Sequence, residues 1–271
     1  MITFLFSALG IVMLIILLGK INLHFQFRKR IKSLFVQSNN ISNQKFHGSQ
    51  LNEFPEPMRR YLKLVLTEGQ PYISYVRILH EGLFKTGLHK NWINIKGEQY
   101  ATTEKPGFIW KGTTAFFIAQ DSYIGETGQL KVSLLSLFNI VNAKGTQYNE
   151  GELLRWLGES VLYPTNFLSS KNVLFFPLDN NSVKLTFNYI GMDLNFIIRF
   201  NDIGEIIEME TERFMDEFKK ETWVIKLAQY KKINQILVPT FFEVIWRLSA
   251  GDFSYAKFNI NQIEYNNPTK F

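Results

Sequence analysis

The sequence contains no cysteine. That excludes disulfide staples, a thiolate nucleophile, Cys-ligated zinc and an acylated lipobox cysteine. The common catalytic signatures are missing too. There is no GxSxG elbow, no GxxxxGK[ST] phosphate loop, no GxGxxG after a strand and no HExxH, so the familiar routes to acyl transfer, nucleotide binding and zinc hydrolysis are closed. Histidine is scarce and scattered, at positions 24, 47, 80 and 89. His80 and His89 fall on adjacent strands or their turn. Two histidines without a carboxylate at fixed spacing make a poor metal site, and a strand histidine hydrogen-bonded in the sheet is the plainer reading. No metal and no cofactor is expected.

Acidic residues are absent from the first 50 positions, which hold Lys20, Arg28, Lys29, Arg30, Lys32 and Lys45. Those six account for the whole net charge of +6, so the remainder of the chain is neutral. A nucleic-acid domain is basic on its own surface, with aromatics among the charges. This pattern excludes that class.

Apolar material is plentiful: 46% of residues are hydrophobic and 25 are phenylalanine, which rules out wholesale disorder. Ile2 to Leu18, "ITFLFSALGIVMLIILL", is uncharged and spans roughly 25 Å as a helix. It lacks the basic n-region and small-x-small site of a cleaved signal peptide. The expectation is a retained transmembrane anchor over residues 2–18 in a single-pass cell-membrane protein. Arg28, Lys29, Arg30 and Lys32 would meet anionic headgroups. By the positive-inside rule, the bulk domain would then lie in the cytoplasm.

The expected organisation is an anchor and basic juxtamembrane segment over 1–36, a polar linker over 37–52, and one β-rich domain over 53–271. A short helix follows Pro55 and Pro57, with Met58, Tyr61, Leu62, Val65 and Leu66 on one face. From Ser74 the period is two. Val183, Leu185, Phe187 and Tyr189 alternate with polar residues, as do Met192, Leu194, Phe196 and Ile198, and the intervening "YIG" predicts a hairpin turn. Further strands are predicted at 75–86, 92–102, 108–118, 121–127, 129–135, 205–214, 222–235, 240–249 and 253–265. No βαβ alternation occurs. The fold class is mainly β (α+β): a large curved antiparallel sheet or open barrel of about eleven strands wrapping one or two helices.

One segment breaks the strand pattern, "GELLRWLGESVLYPTNFL" at 151–168. As a helix it carries an aliphatic stripe of Leu153, Leu154, Leu157 and Val161. Glu152, Trp156, Glu159 and Tyr163 lie opposite, with Arg155 just off that face. Large aromatics among carboxylates predict that this face is covered too. Glu152 and Glu159 stand two turns apart, about 10.5 Å along the axis. Glycosidase carboxyl pairs flank a bond from opposite sides at about 5–5.5 or 6.5–9.5 Å, which two residues on one helix face fit poorly. The expected ligand-lining residues are Glu152, Arg155, Trp156, Glu159 and Tyr163, joined by Trp110, Trp246 and His80 from strands.

Taken in order, "FPEPMRRYL", "VRILHEGLF", "PGFIW", "GELLRWLGESVLYPTNFL", "VPTFFEVIW" and "GDFSYAKFNINQIEY" resemble a bacterial family known only as a domain of unknown function. The resemblance covers about Glu53 to Tyr265 and implies no activity. More distantly, the element order is similar to half-barrel carriers of the lipoprotein-localisation type, in which a curved sheet holds acyl chains. That likeness implies work outside the cytoplasm, opposite to the charge rule. The leading reading is a membrane-anchored binding protein for a hydrophobic or lipid-like ligand. The alternatives are a hydrolase-like enzyme using Glu159 as general acid or base, and a structural or assembly protein of the cell envelope.

Overall fold

The computed structural model describes residues 2–169 and 172–271, with the side chains of 2–5, 8, 9, 12 and 169 outside the description. The period-two segments become one antiparallel sheet. Its first half contains β1 (Tyr75–Phe84), β2 (Ile93–Thr102), β3 (Gly107–Thr113), β4 (Phe117–Ile124), β5 (Thr127–Leu134) and β6 (Phe138–Lys144). The second half contains β7 (Val173–Asp179), β8 (Ser182–Tyr189), β9 (Met192–Phe200), β10 (Ile206–Phe214), β11 (Lys220–Ile233), β12 (Ile236–Leu248) and β13 (Gly251–Tyr265). The order across the sheet is β6-β5-β4-β3-β2-β1-β13-β12-β11-β10-β9-β8-β7. The chain therefore enters at the middle, meanders to one edge, crosses to the far edge, and meanders back to close against its own start.

The sheet has thirteen strands among the described residues, not about eleven. The two missed strands, β6 and β7, are its two edges. An edge strand pairs on one side only and need not bury an alternating face. "FNIVNAK" is mostly exposed, and "VLFFPLD" carries Pro177, which only an edge or bulge tolerates. The "YIG" turn forms as expected: Tyr189 pairs with Met192 while Ile190 and Gly191 take positive φ.

The crossing between edges is α3 (Thr146–Gly158), a 3-10 turn at Glu159–Leu162, and α4 (Asn166–Ser169). It lies on the concave face. Gly128 on β5 lets α3 seat closely there, since a Cβ on Gly128 would stand 2.1 Å from the Tyr148 carbonyl oxygen. α2 (Glu56–Val65) closes the same side, burying Met58, Tyr61, Leu62 and Val65 in the main core with Leu153, Leu157 and Val161.

The N-terminal helix α1 (Ile2–Val36) has 35 residues. Its last turns pack on the sheet's other face, where Phe27, Ile31, Leu34 and Phe35 are buried against Tyr75, Tyr100 and Ile109. Alternate strand residues point to opposite faces, which is why Tyr100 and Ile109 meet α1 while Gln99 and Trp110 meet α3. Residues 37–52 follow in close contact with the domain: the Ile41 amide donates to Ser74 Oγ, and Phe46 is buried in the main core.

Two membrane expectations are corrected. The expected transmembrane span is not found: among the described residues no helix is long and apolar enough to cross a membrane, and part of the 2–18 stretch falls outside the described side chains. Arg30 is not free for headgroups. Its Nη2 donates to Ser122 Oγ at 2.5 Å and to Gln129 Oε1 at 3.2 Å, and its Nη1 to Gln120 Oε1 at 3.3 Å. Arg28, Lys29 and Lys32 remain exposed. Arg30→Ala is expected to cost about 1.5–3 kcal/mol, the worth of hydrogen bonds to a charged group. Amide exchange across residues 27–36 should then rise at least tenfold, and unchanged exchange there would mean that Arg30 does not hold the helix down.

Candidate functional site

The inward positions of the strands around α3 are apolar with a few exceptions, and the exceptions converge. On β2, Gln99 interrupts Ile95 and Ala101. On β4, Asp121 stands between Ala119 and Tyr123. On β10, Arg213 follows Met209 and Thr211 in the same phase. All three point toward the side of α3 that presents Arg155 and Glu159.

Arg155 is the hub. Its Nε donates to Glu159 Oε1 at 2.9 Å, one turn on, its Nη1 to Asp121 Oδ2 at 2.5 Å, and its Nη2 to Gln99 Oε1 at 3.2 Å. Gln99 Nε2 donates to the second Glu159 oxygen. The guanidinium is flanked by rings, with Cζ 4.8 Å from the Trp110 centroid and 5.1 Å from that of Phe108. Burial acts to lower the Arg155 pKa, but Glu159, Asp121 and Glu152 outweigh it and hold the proton on. Burial raises the Asp121 pKa, with Arg155 pulling the other way.

Behind this hub lies Glu152, whose side chain is 5% exposed. Its Oε1 is 3.7 Å from Arg213 Nη2 and its Oε2 has no partner among the described residues. Burial, reinforced by nearby Asp121, pushes its pKa to about 8, so Glu152 carries a proton at neutral pH.

His80 reaches the same region from β1, where a bulge between Leu79 and His80 shifts the pairing with β13. Gly97 makes room for its ring, since a Cβ there would stand 1.8 Å from Nε2. That nitrogen accepts a hydrogen bond from Trp110 Nε1 at 2.8 Å. Burial, then the Arg155 charge, lower the His80 pKa to about 3, which keeps the imidazole neutral.

Above the polar cluster is a cavity of about 430 Å³, of the size that holds small organic ligands. Its walls are Phe84, Ile95, Trp110, Phe117, Leu130, Val132, Ile140, Trp223, Ile225, Val244, Tyr255 and Phe258, and its polar side chains include Asp121, Arg155, Glu159, Arg213 and Lys85. Three of the eight residues expected to line a ligand therefore do line this space: Trp110, Arg155 and Glu159. Glu152 sits behind the floor. Trp156 and Tyr163 are core residues, Trp156 Nε1 donating to the Thr102 carbonyl and Tyr163 Oη to the Trp156 carbonyl. Trp246 stacks on Tyr255, centroids 6.3 Å apart, and is not among the residues that line the cavity. His80 lies beneath Trp110. Asp121, Gln99, Arg213 and Trp223 escaped the reading of the sequence. The legible signal for the first three was a polar residue at an inward position of an alternating strand.

Among solved structures, the chain is similar to a LolA superfamily protein from Nitrosomonas europaea, with a TM-score of 0.45, 9% identity, and 78% of this chain and 92% of that one covered. It is also similar to a domain described as an outer membrane lipoprotein-sorting protein from Vibrio parahaemolyticus (TM-score 0.40, 9% identity, 72% and 86% covered). A DUF1329 family protein from Desulfovibrio piger is a further likeness (TM-score 0.36, 10% identity, 88% and 93% covered). No curated protein matches the chain. A family model does match, over residues 44–258, and the chain accordingly belongs to the family of unknown function DUF6544.

Proposed function

We propose that this is a membrane-attached binding protein that holds a hydrophobic, lipid-like molecule in the cavity between the sheet and α3. The observation that carries the reading is the cavity itself: about 430 Å³, walled by aromatic and aliphatic side chains, with its charges gathered at one place. Apolar walls supply affinity and a few fixed polar groups supply orientation, which is the usual composition of a small-molecule site. Use of Glu159 as a general acid or base is disfavoured, because Arg155 and Gln99 occupy both its oxygens.

Attachment to a bilayer is supported by the first half of α1, where Phe6, Ile11, Met13, Leu14, Leu17 and Leu18 are exposed, with Arg28, Lys29 and Lys32 exposed farther along. Apolar exposure on this scale is costly in water and favourable in lipid. The helix touches the turn between β5 and β6, where a Cβ on Gly19 would stand 2.7 Å from Leu137 Cδ2. Exposed Leu135, Phe138 and Ile140 lie on that turn and on β6, and Ile140 also lines the cavity. An apolar path from the bilayer to the cavity follows from that adjacency.

The test is lipid extraction and mass spectrometry on the full chain held in amphipol. About one apolar molecule per chain is expected. In Val132→Trp, which fills the cavity from β5, that molecule should be lost while the melting temperature changes by a few degrees at most. Equal lipid content in the parent and a folded Val132→Trp variant would overturn the proposal.

A further inference from the structure

The charged side chains lining the cavity do not balance. They are Lys85, Arg155 and Arg213 against Asp121 and Glu159. Arg155 bonds both acids directly, leaving none for the other two cations. Lys85 Nζ lies 4.6 Å over the Trp92 ring and forms no ion pair among the described residues. Arg213 is the more exceptional. It is largely buried, its Nε has no hydrogen-bond partner, and its closest carboxylate oxygen, on Glu152, is 3.7 Å away, beyond hydrogen-bond reach. The backbone of α3 closes one side of it, where a Cβ on Gly151 would stand 3.1 Å from Nε. The Trp223 ring holds the guanidinium from another side, 4.6 Å from Cζ to the centroid. The group is thus held between α3 and Trp223, lines the cavity, and makes no hydrogen bond among the described residues.

We infer that the ligand is a single-chain amphiphile with one carboxylate head, its head on Arg213 and its chain along the apolar walls. The inference rests on the cavity being a lipid site, as proposed above. A planar guanidinium matches a carboxylate with two parallel hydrogen bonds. One negative charge brings the lining to neutrality, whereas a phosphate dianion overshoots it. Glu152 competes weakly for Arg213, because its nearest oxygen is 3.7 Å away and burial raises its pKa toward the protonated form. A neutral head would accept a hydrogen bond from Arg213 but leave its charge without a counter-ion, and a partly buried charge without one is costly.

The test uses the full chain in amphipol at pH 7.5, following quenching of Trp110 and Trp223 on addition of palmitate, hexadecanol or hexadecyl phosphate below their micellar concentrations. Palmitate should bind at least tenfold tighter than hexadecanol. Arg213→Gln should reduce that ratio below threefold while leaving hexadecanol affinity within twofold, and Arg213→Lys should give an intermediate ratio, because it keeps the charge and loses the bidentate fork. If Arg213→Gln does not fold, the palmitate-to-hexadecanol ratio of the parent decides by itself. Equal binding of acid and alcohol overturns the carboxylate assignment and leaves the lipid site standing. Tighter binding of hexadecyl phosphate than palmitate also overturns it. Binding of none of the three removes the lipid site and the inference with it.

Discussion

Arg155→Met should lower the stability of the domain by about 3–5 kcal/mol, the cost of breaking a buried ion pair by removing one partner. Methionine comes near the volume of the arginine stem, so the loss reports charge and hydrogen bonding more than a void. Asp121 and Glu159 would then lose the cation that hydrogen-bonds both of them. At about 2–4 °C per kcal/mol for a domain of this size, the melting temperature should fall by roughly 6–20 °C. Adding Asp121→Asn and Glu159→Gln should restore part of the loss, because both oxygens of each side chain would no longer demand a charge. A single-variant loss under about 1 kcal/mol would mean that solvent reaches the cluster and screens it.

Glu152→Gln should make the protein more stable at alkaline pH and leave it nearly unchanged in acid. The folded carboxyl holds its proton up to about pH 8, while an unfolded glutamate releases it near pH 4.3. Between those values the folded state binds more protons than the unfolded state, so stability falls as pH rises across the window and levels off above it. Glutamine, which resembles the protonated side chain, takes no part in that fall. Since each pKa unit is worth about 1.4 kcal/mol, urea midpoints of the two proteins should coincide near pH 4.5 and separate by ~3 kcal/mol or more by pH 8.5. Parallel stability curves from pH 4.5 to 8.5 would show that Glu152 ionises as freely in the fold as outside it. A protonated Glu152 gives Arg213 no counter-charge, so this titration and the fatty-acid test probe one charge balance from two sides.

Both predictions concern residues that were only half legible beforehand. Arg155, Glu152 and Glu159 stood out because a helix with aromatics on its polar face must be covered on both sides. That reading holds: Trp156 and Tyr163 are fully buried and Glu159 is bonded at both oxygens. Asp121, Gln99 and Arg213 lie 34, 56 and 58 positions from Arg155 along the chain, and their meeting depends on strand register. Trp110 pairs with Asp121 and Gln99 with Trp110 across β2, β3 and β4, which brings the two polar side chains under the same guanidinium. Alternation alone places a residue on a face; it does not say which residues of other strands stand beside it.

Composition and periodicity by themselves determined that this is a neutral, aromatic-rich antiparallel domain with a basic apolar N-terminal segment and one covered helix, because burial and charge placement are local in sequence. Tertiary structure alone decided four other things. It supplied the two edge strands, which carry no alternating signal. It docked Phe27–Phe35 and Arg30 on the outer face of the sheet, where composition pointed to a free juxtamembrane segment. It sorted the expected site residues into cavity wall, floor and core. And it left Arg213 without a hydrogen bond among the described residues. Each of these depends on contacts between segments far apart in sequence, where loop closure and packing, not local preference, choose the partner.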